Sequence, residues 1–589
     1  MCGIAGYIGN RNAPEILFDM LKRLEYRGYD SAGLAFITDQ TILIPKDKGK
    51  VDEVRAKVKP ARHRSNIGVA HTRWATHGKP SQLNAHPHAD CTKHIAVAHN
   101  GIIENYAELA RELSERGHRF DSETDTEVIA HLIEGYFAGD FLEAFRKTLE
   151  RLEGSYAITA ISLESPDKIF IARKESPLLI GVGEDENFIA SDAPAFLPLT
   201  KKAVYIEDYE YGFVSRDGFV VWDLKSGKKI PKKVQEISWS VEEAEKGGFH
   251  HFMLKEIMEE PSAAKHALRS VRELEGIAKK LSQKKRVVYV ACGTAYHAGL
   301  VGKYVLEEYG IPAEAYVASE FRYATVRSLD KDSAVVAISQ SGETADTLAA
   351  IKAARNQGAY VASIVNVVGS TMTRTSDDVA YLHAGPEIAV ASTKAYIAQV
   401  VSVTYLSLHV AFLSKKLQEP AYQKLVTDLN NIPAKIQQIL DGNNIKALAE
   451  KHANVQTFFF IGRRQHYPTA LEGALKLKEI SYVHAEGYPA GELKHGPLAL
   501  LDESVVVIAI SPEDELKGKM RANIAETQAR GATVIEVSER GDLAIPQTSP
   551  LISPALAIVP LHLFAYYISV LKGLDPDKPR NLAKSVTVE

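Results

Sequence analysis

The chain has 589 residues and a mass of 64.7 kDa, which is too long for one hydrophobic core and predicts about two to four domains. Its 45% hydrophobic and 24% charged residues are typical of a globular protein. A net charge of -4 and a pI near 6.6 exclude a general nucleic-acid-binding or anionic-membrane surface.

The N-terminal part, to about residue 240, alternates short strand-like segments with few helices. Strands are predicted in NIGVAHTRWATHG, HIAVAHNGII, YAITAISLE, KIFIARKE and GFVVWDL, and helices in EILFDMLKRLEYRG and TEVIAHLIEGYF. This pattern indicates a layered α+β domain with antiparallel sheets. The charged stretch WSVEEAEKGGFHHFMLKEIMEEP then predicts a domain boundary between about Ser240 and His250.

Beyond that boundary, apolar strands alternate with helices, which is typical of parallel sheets covered on both faces. The pattern occurs twice. Gly293 and Gly462, which end equivalent strands, are 169 positions apart, and Ser339 and Ser511 are 172 apart. The agreement predicts an internal duplication of one α/β unit.

Two apolar stretches approach the length of a membrane span: AYIAQVVSVTYLSLHVAFL and ALAIVPLHLFAYYISVL. Gln399, His409, Pro560 and His562 interrupt them, so we expect helices buried in a core or subunit interface and no membrane partner.

The three cysteines, Cys2, Cys91 and Cys292, have no CxxC spacing. Together with the absence of a signal-peptide pattern, they predict a reducing, cytoplasmic location without disulfides. Cys2 directly follows Met1, and removal of Met1 would place a thiol nucleophile and a free amine on one residue. That amine titrates near neutrality and is a suitable base for the thiol. An ordinary small residue near a terminus is the alternative interpretation.

Polar residues are dense in HTRWATHG and AHNGIIENY. Arg73 is suited to bind a carboxylate bidentately, and the Asn100 amide and Gly101 N–H are suited to stabilise an oxyanion. Five nearby histidines, which lack a companion cysteine or carboxylate at ligand spacing, favour structural hydrogen bonds over zinc: His71, His77, His86, His88 and His99. In DSETDTE, the segment TDTE predicts a capping box ahead of a helix.

In the second half, SQSGET (339–344) and CGT (292–294) each follow a strand and open a helix. Backbone N–H groups and hydroxyls at such turns suit a phosphate, but N-caps need the same residue types, so both interpretations remain open. There is no Walker motif, and GVGEDE lacks the third glycine of a dinucleotide fingerprint, so no nucleotide cofactor is predicted.

Glu472, Lys476 and Glu479 have the spacing of one helix face. A solvated, ion-paired surface is the default interpretation for that spacing. The surrounding Ala, Leu and Gly residues, and the polar loop GELKHGP that bears His495, favour instead a cleft where these groups move protons beside a carbonyl.

These motifs resemble one enzyme family over nearly the whole chain. CGIAGYIG, RLEYRGYDSAG, HTRWATHG, NAHPH and HNGIIENY are similar to the N-terminal-nucleophile glutaminase domain of glutamine amidotransferases. CGTAYHAG, SQSGETADT, GPEIAVASTKAY, LEGALKLKEISY, GELKHGPLAL and PRNLAKSVTVE resemble the paired sugar-isomerase (SIS) domains of the glutamine:fructose-6-phosphate amidotransferases.

The resemblance implies an α+β glutaminase domain with antiparallel αββα layers, followed by two α/β SIS domains with parallel sheets. The implied segments are a glutaminase domain at 1–240, a linker with a connecting helix at 241–275, SIS domains at 276–430 and 431–580, and a C-terminal tail closing the sugar site at 581–589.

For the glutaminase, the resemblance implies that Cys2 attacks the glutamine amide and forms a thioester. Asn100 and Gly101 would stabilise the oxyanion. The implied glutamine-binding residues are Arg73, Trp74, Thr76, His77 and Asp125. Among these, Trp74 would also gate an ammonia channel.

For the sugar site, the resemblance implies phosphate and sugar binding by Thr294, Ser339, Gln340, Ser341, Thr344, Val390 and Ala583. Lys584 would form a Schiff base with the open sugar, and Glu479 would be the base of the C1/C2 isomerisation, with Lys476 assisting proton transfer. His495 would come from the partner of a homodimer and assist ring opening. Ala295 departs from the family, since many relatives have Ser there, so the hydrogen bond that a Ser side chain would give the sugar is not expected from this position.

The expected reaction converts fructose 6-phosphate and L-glutamine to glucosamine 6-phosphate and L-glutamate, with no metal, no cofactor and no nucleic acid. Another amidotransferase with the same type of glutaminase is one alternative, although the chain lacks a pyrophosphate motif and an SGGxDS loop. A sugar-phosphate-binding regulator with a vestigial glutaminase is the other.

Overall fold

The computed structural model describes residues 2–74, 78–237, 246–442 and 444–587. Two compact units divide the chain: Met1–Ala244 with Ala583–Glu589, and Glu245–Leu582. The predicted site residues Thr76 and His77, and much of the predicted domain boundary, lie outside the described residues.

The first unit contains two antiparallel sheets and helices on their outer faces. Its described strands are β1 (Gly3–Ile8), β2 (Ser31–Thr38), β3 (Thr41–Leu43), β4 (Lys46–Lys48), β5 (Ile67–Arg73), β6 (His88–Ala89), β7 (Ile95–Ile103), β8 (Gly154–Ser162), β9 (Ile169–Lys174), β10 (Leu179–Val182), β11 (Asn187–Ala190), β12 (Lys202–Tyr205), β13 (Glu210–Ser215), β14 (Gly218–Asp223) and β15 (Gln235–Glu236). Its described α-helices are α1 (Ala13–Leu24), α2 (Val51–Val58), α3 (Tyr106–Glu115), α4 (Glu127–Tyr136) and α5 (Phe141–Arg151). One sheet has the order β15-β12-β10-β11-β1-β5-β2-β3, with β4 also paired to β2, and the other has the order β14-β13-β9-β8-β7-β6.

The side chains of these strands alternate between two cores, as the period of a strand requires. In β8, Tyr156 and Ile158 pack with α4 and α5, whereas Ala157 and Ile161 pack with the other sheet. The opposite face of that other sheet is covered by α1. The layers are therefore helix, sheet, sheet, helix, and the predicted antiparallel αββα fold is confirmed.

The start of α4 differs from the sequence prediction. The helix begins at Glu127 with Thr126 as its N-cap, so TDTE does not form a capping box and that prediction was wrong. The Glu127 carboxylate instead accepts hydrogen bonds from the backbone N–H groups of Asp121 at 2.8 Å and Ser122 at 2.7 Å. The preceding loop folds back onto this carboxylate, which moves the helix start by two residues.

The second unit is an α/β structure with two parallel sheets. Its described strands are β16 (Arg286–Ala291), β17 (Ala313–Val317), β18 (Ser333–Ser339), β19 (Tyr360–Val365), β20 (Asp378–Tyr381), β21 (Thr457–Gly462), β22 (His484–Pro489), β23 (Val505–Ile510), β24 (Thr533–Ser538) and β25 (Leu543–Ala544). Its described α-helices are α6 (Phe252–Met258), α7 (Glu260–Ala267), α8 (Val271–Leu281), α9 (Gly293–Glu308), α10 (Ala318–Phe321), α11 (Ala345–Asn356), α12 (Thr371–Thr375), α13 (Lys394–Leu413), α14 (Glu419–Asn430), α15 (Ile432–Leu440), α16 (Asn444–His452), α17 (Tyr467–Ser481), α18 (Lys517–Gln528), α19 (Pro554–Ala557) and α20 (Val559–Leu571).

The predicted duplication is visible in the strand order of the two sheets. The first sheet runs β17-β16-β18-β19-β20 and the second runs β22-β21-β23-β24-β25. In each, the first strand in the chain lies between the second and the third, and every pair is parallel. The same order in both halves is what duplication of one unit produces.

Two helical segments, Lys394–Leu413 and Pro554–Leu571, are long and apolar enough by length and composition to cross a membrane. In each, 83% of the most apolar stretch is buried inside the structure. Both contribute to the large hydrophobic core that the two halves of the second unit share. A core helix explains their composition, as expected from the sequence.

Candidate active sites

The Cys2 thiol lies where β1 begins, beside the end of β5. Because Gly3 pairs with Thr72 in the antiparallel register, the residue before β1 faces the residues that follow Thr72. The Cys2 Sγ atom lies 3.5 Å from the carbonyl oxygen of Trp74, to which the thiol donates, and 3.4 Å from the Trp74 backbone nitrogen, which donates to the sulfur. The backbone of Trp74 thus fixes the thiol.

Burial raises the pKa of the Cys2 thiol above its ordinary value, while the Trp74 hydrogen bond and the Arg73 guanidinium oppose this and Asp125 adds to it. A thiol with a raised pKa is protonated at neutral pH. It needs a base that removes its proton before it can attack a carbonyl carbon.

Asn100, in β7, is oriented by two partners on opposite sides of its amide. The Nδ2 group donates to the Cys2 carbonyl oxygen at 3.2 Å, and the Oδ1 atom lies 3.0 Å from His71 Nε2. The same His71 nitrogen lies 2.9 Å from the His99 carbonyl oxygen. Since both of its partners are acceptors, Nε2 carries the proton, and the amide is fixed with its nitrogen toward Cys2.

His71 is neutral because burial, with the nearby Arg73 charge, lowers its pKa to about 3. Its ring stacks on His86 with the ring centroids 4.2 Å apart. Two other histidines of the same group are hydrogen-bonded: His88 to Thr124, and His99 to Thr126. These contacts are structural, which is the role that the sequence favoured for these histidines; His77 is outside the described residues.

Arg73 and Asp125 place a positive and a negative charge near Cys2. Both are buried, and each affects the pKa of the Cys2 thiol. Asp125 precedes α4, and its Oδ2 accepts the Ile103 backbone N–H at 2.8 Å. Arg73, the last residue of β5, donates to the Gly78 carbonyl at 3.2 Å. A buried pair of this kind matches the carboxylate and ammonium of a free amino acid.

Gly101 follows Asn100 and tolerates no side chain. Its φ of +134° is rare for other residues, and a Cβ there would lie 2.0 Å from the Ser155 carbonyl oxygen of β8. The close approach of β8 therefore requires glycine beside Asn100.

Arg27 received no role from the sequence alone, although it lies in the quoted motif RLEYRGYDSAG. Its Nε donates to the Cys2 carbonyl oxygen at 3.2 Å, and its Nη1 pairs with Asp192 at 3.3 Å. Asp192 also accepts the Tyr26 hydroxyl at 2.6 Å. Arg27 and Asn100 therefore hold the same carbonyl. Arg27 and Asp192 are 165 residues apart, so no local sequence pattern reveals this pair.

In the second unit, the segments CGT and SQSGET follow two neighbouring parallel strands, β16 and β18. The Ser339 hydroxyl accepts the Gly342 backbone N–H at 2.9 Å and lies 3.4 Å from the Thr344 hydroxyl, and Ser341 accepts the Glu343 N–H at 3.2 Å. Thr344 is the N-cap of α11, yet its side chain makes no capping bond. The segment 339–344, called here the hydroxyl loop, is thus a compact turn at a helix N-terminus, where an anion is favoured.

The position of Gly342 in the hydroxyl loop has no room for a larger residue, because the Ser370 side chain lies against it. Gly342 has a φ of +67°, and a Cβ there would lie 2.1 Å from Ser370 Oγ. The next residues are tied down as well, because Glu343 accepts the Thr371 N–H at 2.8 Å.

Glu472, Lys476 and Glu479 occupy one face of α17, and that face is buried rather than solvated. Glu472 is 0% and Lys476 1% exposed. Lys476 Nζ lies 3.4 Å from Glu472 Oε1 and 2.7 Å from Glu479 Oε2, and it donates to the Thr294 hydroxyl at 3.1 Å. This buried ion-pair cluster connects α17 with the start of α9.

Each charged group of this cluster stabilises the charged form of its neighbours. Burial alone would raise the pKa of Glu472, but Lys476 and His297 lower it to about 2. Burial alone would lower the pKa of Lys476, but Glu479 and Glu472 raise it. Both groups are therefore charged at neutral pH, and the partly exposed Glu479 carboxylate is the member that can meet a substrate.

His297 is a second residue that sequence reasoning missed. Its Nδ1 lies 2.7 Å from Glu472 Oε2, while the other Glu472 oxygen accepts the Thr294 hydroxyl at 3.0 Å. Thr294 and His297 are three residues apart in α9 and so lie on the same side of the helix. That spacing in CGTAYHAG is the signal that would have paired them.

The other predicted sugar-site residues are more dispersed. Val390 is buried, and its N–H donates to the Asp577 carbonyl at 3.1 Å. His495 is exposed, at the end of a 3-10 turn before Gly496. Ala583 and Lys584 lie in the C-terminal tail, which groups with the first unit.

Comparison with known protein families matches both parts of the chain. The glutamine amidotransferase domain matches residues 71–198, and the SIS domain matches residues 280–408 and 453–560. The double SIS match agrees with the duplicated strand order.

Individual relatives match over the full length. The chain is 49% identical to a glutamine–fructose-6-phosphate aminotransferase (isomerizing) of Thermococcus kodakarensis and 50% identical to that of Pyrococcus horikoshii, with 100% of both chains covered in each case. A solved C-terminal domain of glucosamine-fructose-6-phosphate aminotransferase from Francisella tularensis is 37% identical, with a TM-score of 0.53, and covers 56% of this chain and 99% of its own. The chain therefore belongs to the glutamine–fructose-6-phosphate aminotransferase (isomerizing) family.

Proposed function

We propose that this chain converts fructose 6-phosphate and L-glutamine to glucosamine 6-phosphate and L-glutamate. The observation that carries the proposal is that one chain holds a positioned thiol, at Cys2, and also a buried ion-pair cluster on α17 and a hydroxyl loop at 339–344. The full-length relatives are named for this reaction. The enzyme works in the cytoplasm and requires no metal or cofactor for its chemistry.

In the glutaminase half, the carboxylate of glutamine binds Arg73 and its ammonium binds Asp125. The Cys2 sulfur attacks the side-chain carbonyl carbon, and its proton goes to the terminal amine that removal of Met1 exposes. Asn100 Nδ2 and the Gly101 N–H stabilise the resulting oxyanion. The protonated amine passes this proton to the leaving nitrogen, the C–N bond breaks and ammonia departs, and water then hydrolyses the thioester to glutamate and the free thiol.

In the sugar half, the hydroxyl loop and Thr294 bind the phosphate and the sugar. Lys584 forms a Schiff base with the C2 carbonyl of the opened ketose and releases water, and ammonia from the glutaminase half then displaces the lysine amine at C2. Glu479 moves a proton from C1 to C2, which leaves the amine at C2 and the aldehyde at C1. Lys476 Nζ lies 2.7 Å from Glu479 Oε2 and assists this proton transfer by fixing the Glu479 carboxylate. Its role is therefore to orient the base. The partner subunit's His495 assists ring opening in a homodimer.

The direct test supplies the purified chain with L-glutamine and fructose 6-phosphate and measures both products. Equal amounts of glucosamine 6-phosphate and glutamate are expected. Glutamate without amino sugar would indicate another amidotransferase, and neither product, with Met1 removal verified by mass, would indicate a sugar-phosphate-binding regulator.

His71 is proposed as a positioning residue for Asn100. In His71→Phe the ring still stacks on His86, but the donor to Asn100 Oδ1 is lost and the amide is free to rotate. Since losing one oxyanion donor costs about 100-fold to 1000-fold in kcat, misorienting it is expected to cost about 10-fold or more, with KM for glutamine little changed. Steady-state glutaminase kinetics measure this split.

Two further variants distinguish the positioning of Asn100 by His71 from a general loss of structure. His71→Gln retains an N–H donor and is expected to recover part of kcat, whereas His94→Phe changes an exposed histidine of the same unit, 52% exposed, and is expected to change nothing. A rise in KM with unchanged kcat in His71→Phe would contradict the positioning role.

Gly342→Ala is expected to damage the hydroxyl loop specifically. Gly310→Ala is the matched control, because Gly310 has nearly the same φ of +65° but a methyl group there would meet no neighbouring atom within 4 Å, whereas one at Gly342 meets Ser370. Both variants strain the backbone by about 1 kcal/mol, but only Gly342→Ala must displace its neighbour. KM for fructose 6-phosphate is expected to rise about 10-fold or more in Gly342→Ala alone. Equal effects would argue against a phosphate site there.

A further inference from the structure

Four side chains of the first unit that have no role in the proposed glutaminase chemistry converge on one point. They are Cys91, His118, His131 and Glu134, and one ligand atom from each lies within 4.8 Å of all the others. We propose that these four residues form a binding site for one zinc ion. The proposal does not rest on the reaction proposed above, which it leaves without a metal. It departs from the expectation, drawn from the sequence, of a chain without metal sites.

Four of the distances between the ligand atoms are close to those around a tetrahedral zinc ion. With zinc–sulfur and zinc–nitrogen bonds of about 2.3 and 2.0–2.1 Å, tetrahedral geometry separates sulfur from nitrogen by about 3.6 Å and two lighter ligands by about 3.4 Å. Cys91 Sγ lies 3.5 Å from His131 Nδ1 and 3.7 Å from His118 Nδ1. Glu134 Oε2 lies 3.3 Å from His131 Nδ1 and 2.9 Å from His118 Nδ1.

The fold brings these atoms together from three separate segments. Cys91 lies between β6 and β7, His118 lies between α3 and α4, and His131 and Glu134 are adjacent on one face of α4. The connections are fixed by backbone hydrogen bonds to the ligands themselves. The Arg119 N–H donates to Cys91 Sγ at 3.5 Å, and the Cys91 N–H donates to Glu134 Oε2 at 3.3 Å.

A second carboxylate lies behind His131. Glu127 Oε1 lies 3.6 Å from His131 Nε2, the ring nitrogen that faces away from the cluster, and Glu127 is itself 4% exposed. Glu127 is anchored by the Asp121 and Ser122 backbone N–H groups. A carboxylate beside the distal nitrogen of a histidine is the usual arrangement behind a zinc ligand, since it fixes the ring and its tautomer.

The composition of the cluster identifies the ion and its role. One thiolate, two imidazoles and one carboxylate suit zinc rather than magnesium or calcium, which prefer oxygen ligands. Four protein ligands complete a tetrahedron and leave no position for substrate, which is typical of a structural site. The ion would tie the loop at Cys91 and the loop at His118 to α4, whose N-terminal end is preceded by Asp125.

The test measures metal binding by the full-length chain. After treatment with chelator and reloading with zinc, about one zinc per chain is expected by elemental analysis. With Co²⁺ as the probe, tetrahedral ligand-field bands and a thiolate-to-cobalt charge-transfer band are expected. Cys91→Ser, at an exposed position, should remove the charge-transfer band and weaken zinc binding by about 100-fold or more.

Three control variants test whether other cysteines or histidines of the chain bind the zinc. Cys2→Ala and Cys292→Ser remove the other two cysteines, and His94→Asn removes an exposed histidine of the same unit; all three are expected to keep the zinc and the cobalt spectrum. His118→Asn should lose affinity as Cys91→Ser does. Less than about 0.1 zinc per chain, or equal affinity in the wild type and Cys91→Ser, would overturn the proposal. Product formation is assayed separately, so failure of the metal site and failure of the proposed reaction are distinguishable.

Discussion

A Cys2→Ala variant is expected to lose glutamine-dependent formation of glucosamine 6-phosphate by at least about 1000-fold, since removing the nucleophile of a covalent mechanism removes the whole pathway. The variant keeps the backbone carbonyl that Arg27 and Asn100 hold, so the surrounding groups should stay in place. Glutamate release and amino-sugar release, followed together, measure the loss.

Sugar-phosphate binding by the same Cys2→Ala variant is the control for this prediction. Binding of fructose 6-phosphate is expected to stay within about 2-fold of the wild type, since the hydroxyl loop and α17 belong to a separate compact unit. Residual glutaminase turnover above about 1% of the wild type would show that Cys2 is not the nucleophile.

Met1 imposes a further condition on this chemistry. While Met1 is attached, the nitrogen of Cys2 is a peptide nitrogen without basicity, and the raised pKa of the thiol leaves it protonated. A fraction that retains Met1, identified by intact mass, is therefore expected to behave like Cys2→Ala. Full turnover by that fraction would show that the terminal amine is not the base.

The strongly periodic segments were predictable from sequence. Strands β7 and β8 and helix α1 lie where the alternation and the helical spacing place them, because a strand or helix with one buried face needs that pattern. The duplication was also predictable, because the spacings at Gly293 and Ser339 repeat at Gly462 and Ser511. Both features depend on information that is local or periodic.

The features that were missed depend on contacts between distant segments. A cleft at Glu472 and Lys476 was favoured by the Ala, Leu and Gly residues around them, but the contact of Glu472 with His297, 175 positions away, follows only from the packing of α17 against α9. The ligand cluster joins Cys91 to residues 27, 40 and 43 positions later, a spacing that matches no zinc motif. Likewise, the oxygen atoms that face His71 belong to β7 of the other sheet, so they follow from how the two sheets pack and not from any local pattern.

Lys476→Met is expected to destabilise the second unit by about 3–5 kcal/mol, because it leaves the fully buried Glu472 carboxylate without its main counter-charge. Lys303→Met is the matched control: Lys303 also pairs with a glutamate on a helix, Glu307 at 2.8 Å, but the pair is 23% and 41% exposed. An exposed pair of this kind contributes less than about 1 kcal/mol. Denaturant unfolding of the full-length chain gives the free energy of unfolding of both variants, and calorimetry measures it independently.

The pH dependence of the free energy of unfolding identifies why Lys476→Met loses stability. In the wild type, the pKa of Glu472 is about 2, below its ordinary 4.5, so this carboxylate stabilises the fold above about pH 4.5 and that contribution fades as the pH falls toward 2. In Lys476→Met, burial without the lysine raises the pKa of Glu472, so the charged carboxylate opposes folding at neutral pH and protonation relieves the penalty. The stability difference between variant and wild type should therefore narrow as the pH falls from about 7 to about 4. A difference that stays constant over that range would mean that lost packing rather than an uncompensated charge dominates at this position. A difference no larger than that of Lys303→Met would mean that Glu472 does not depend on Lys476.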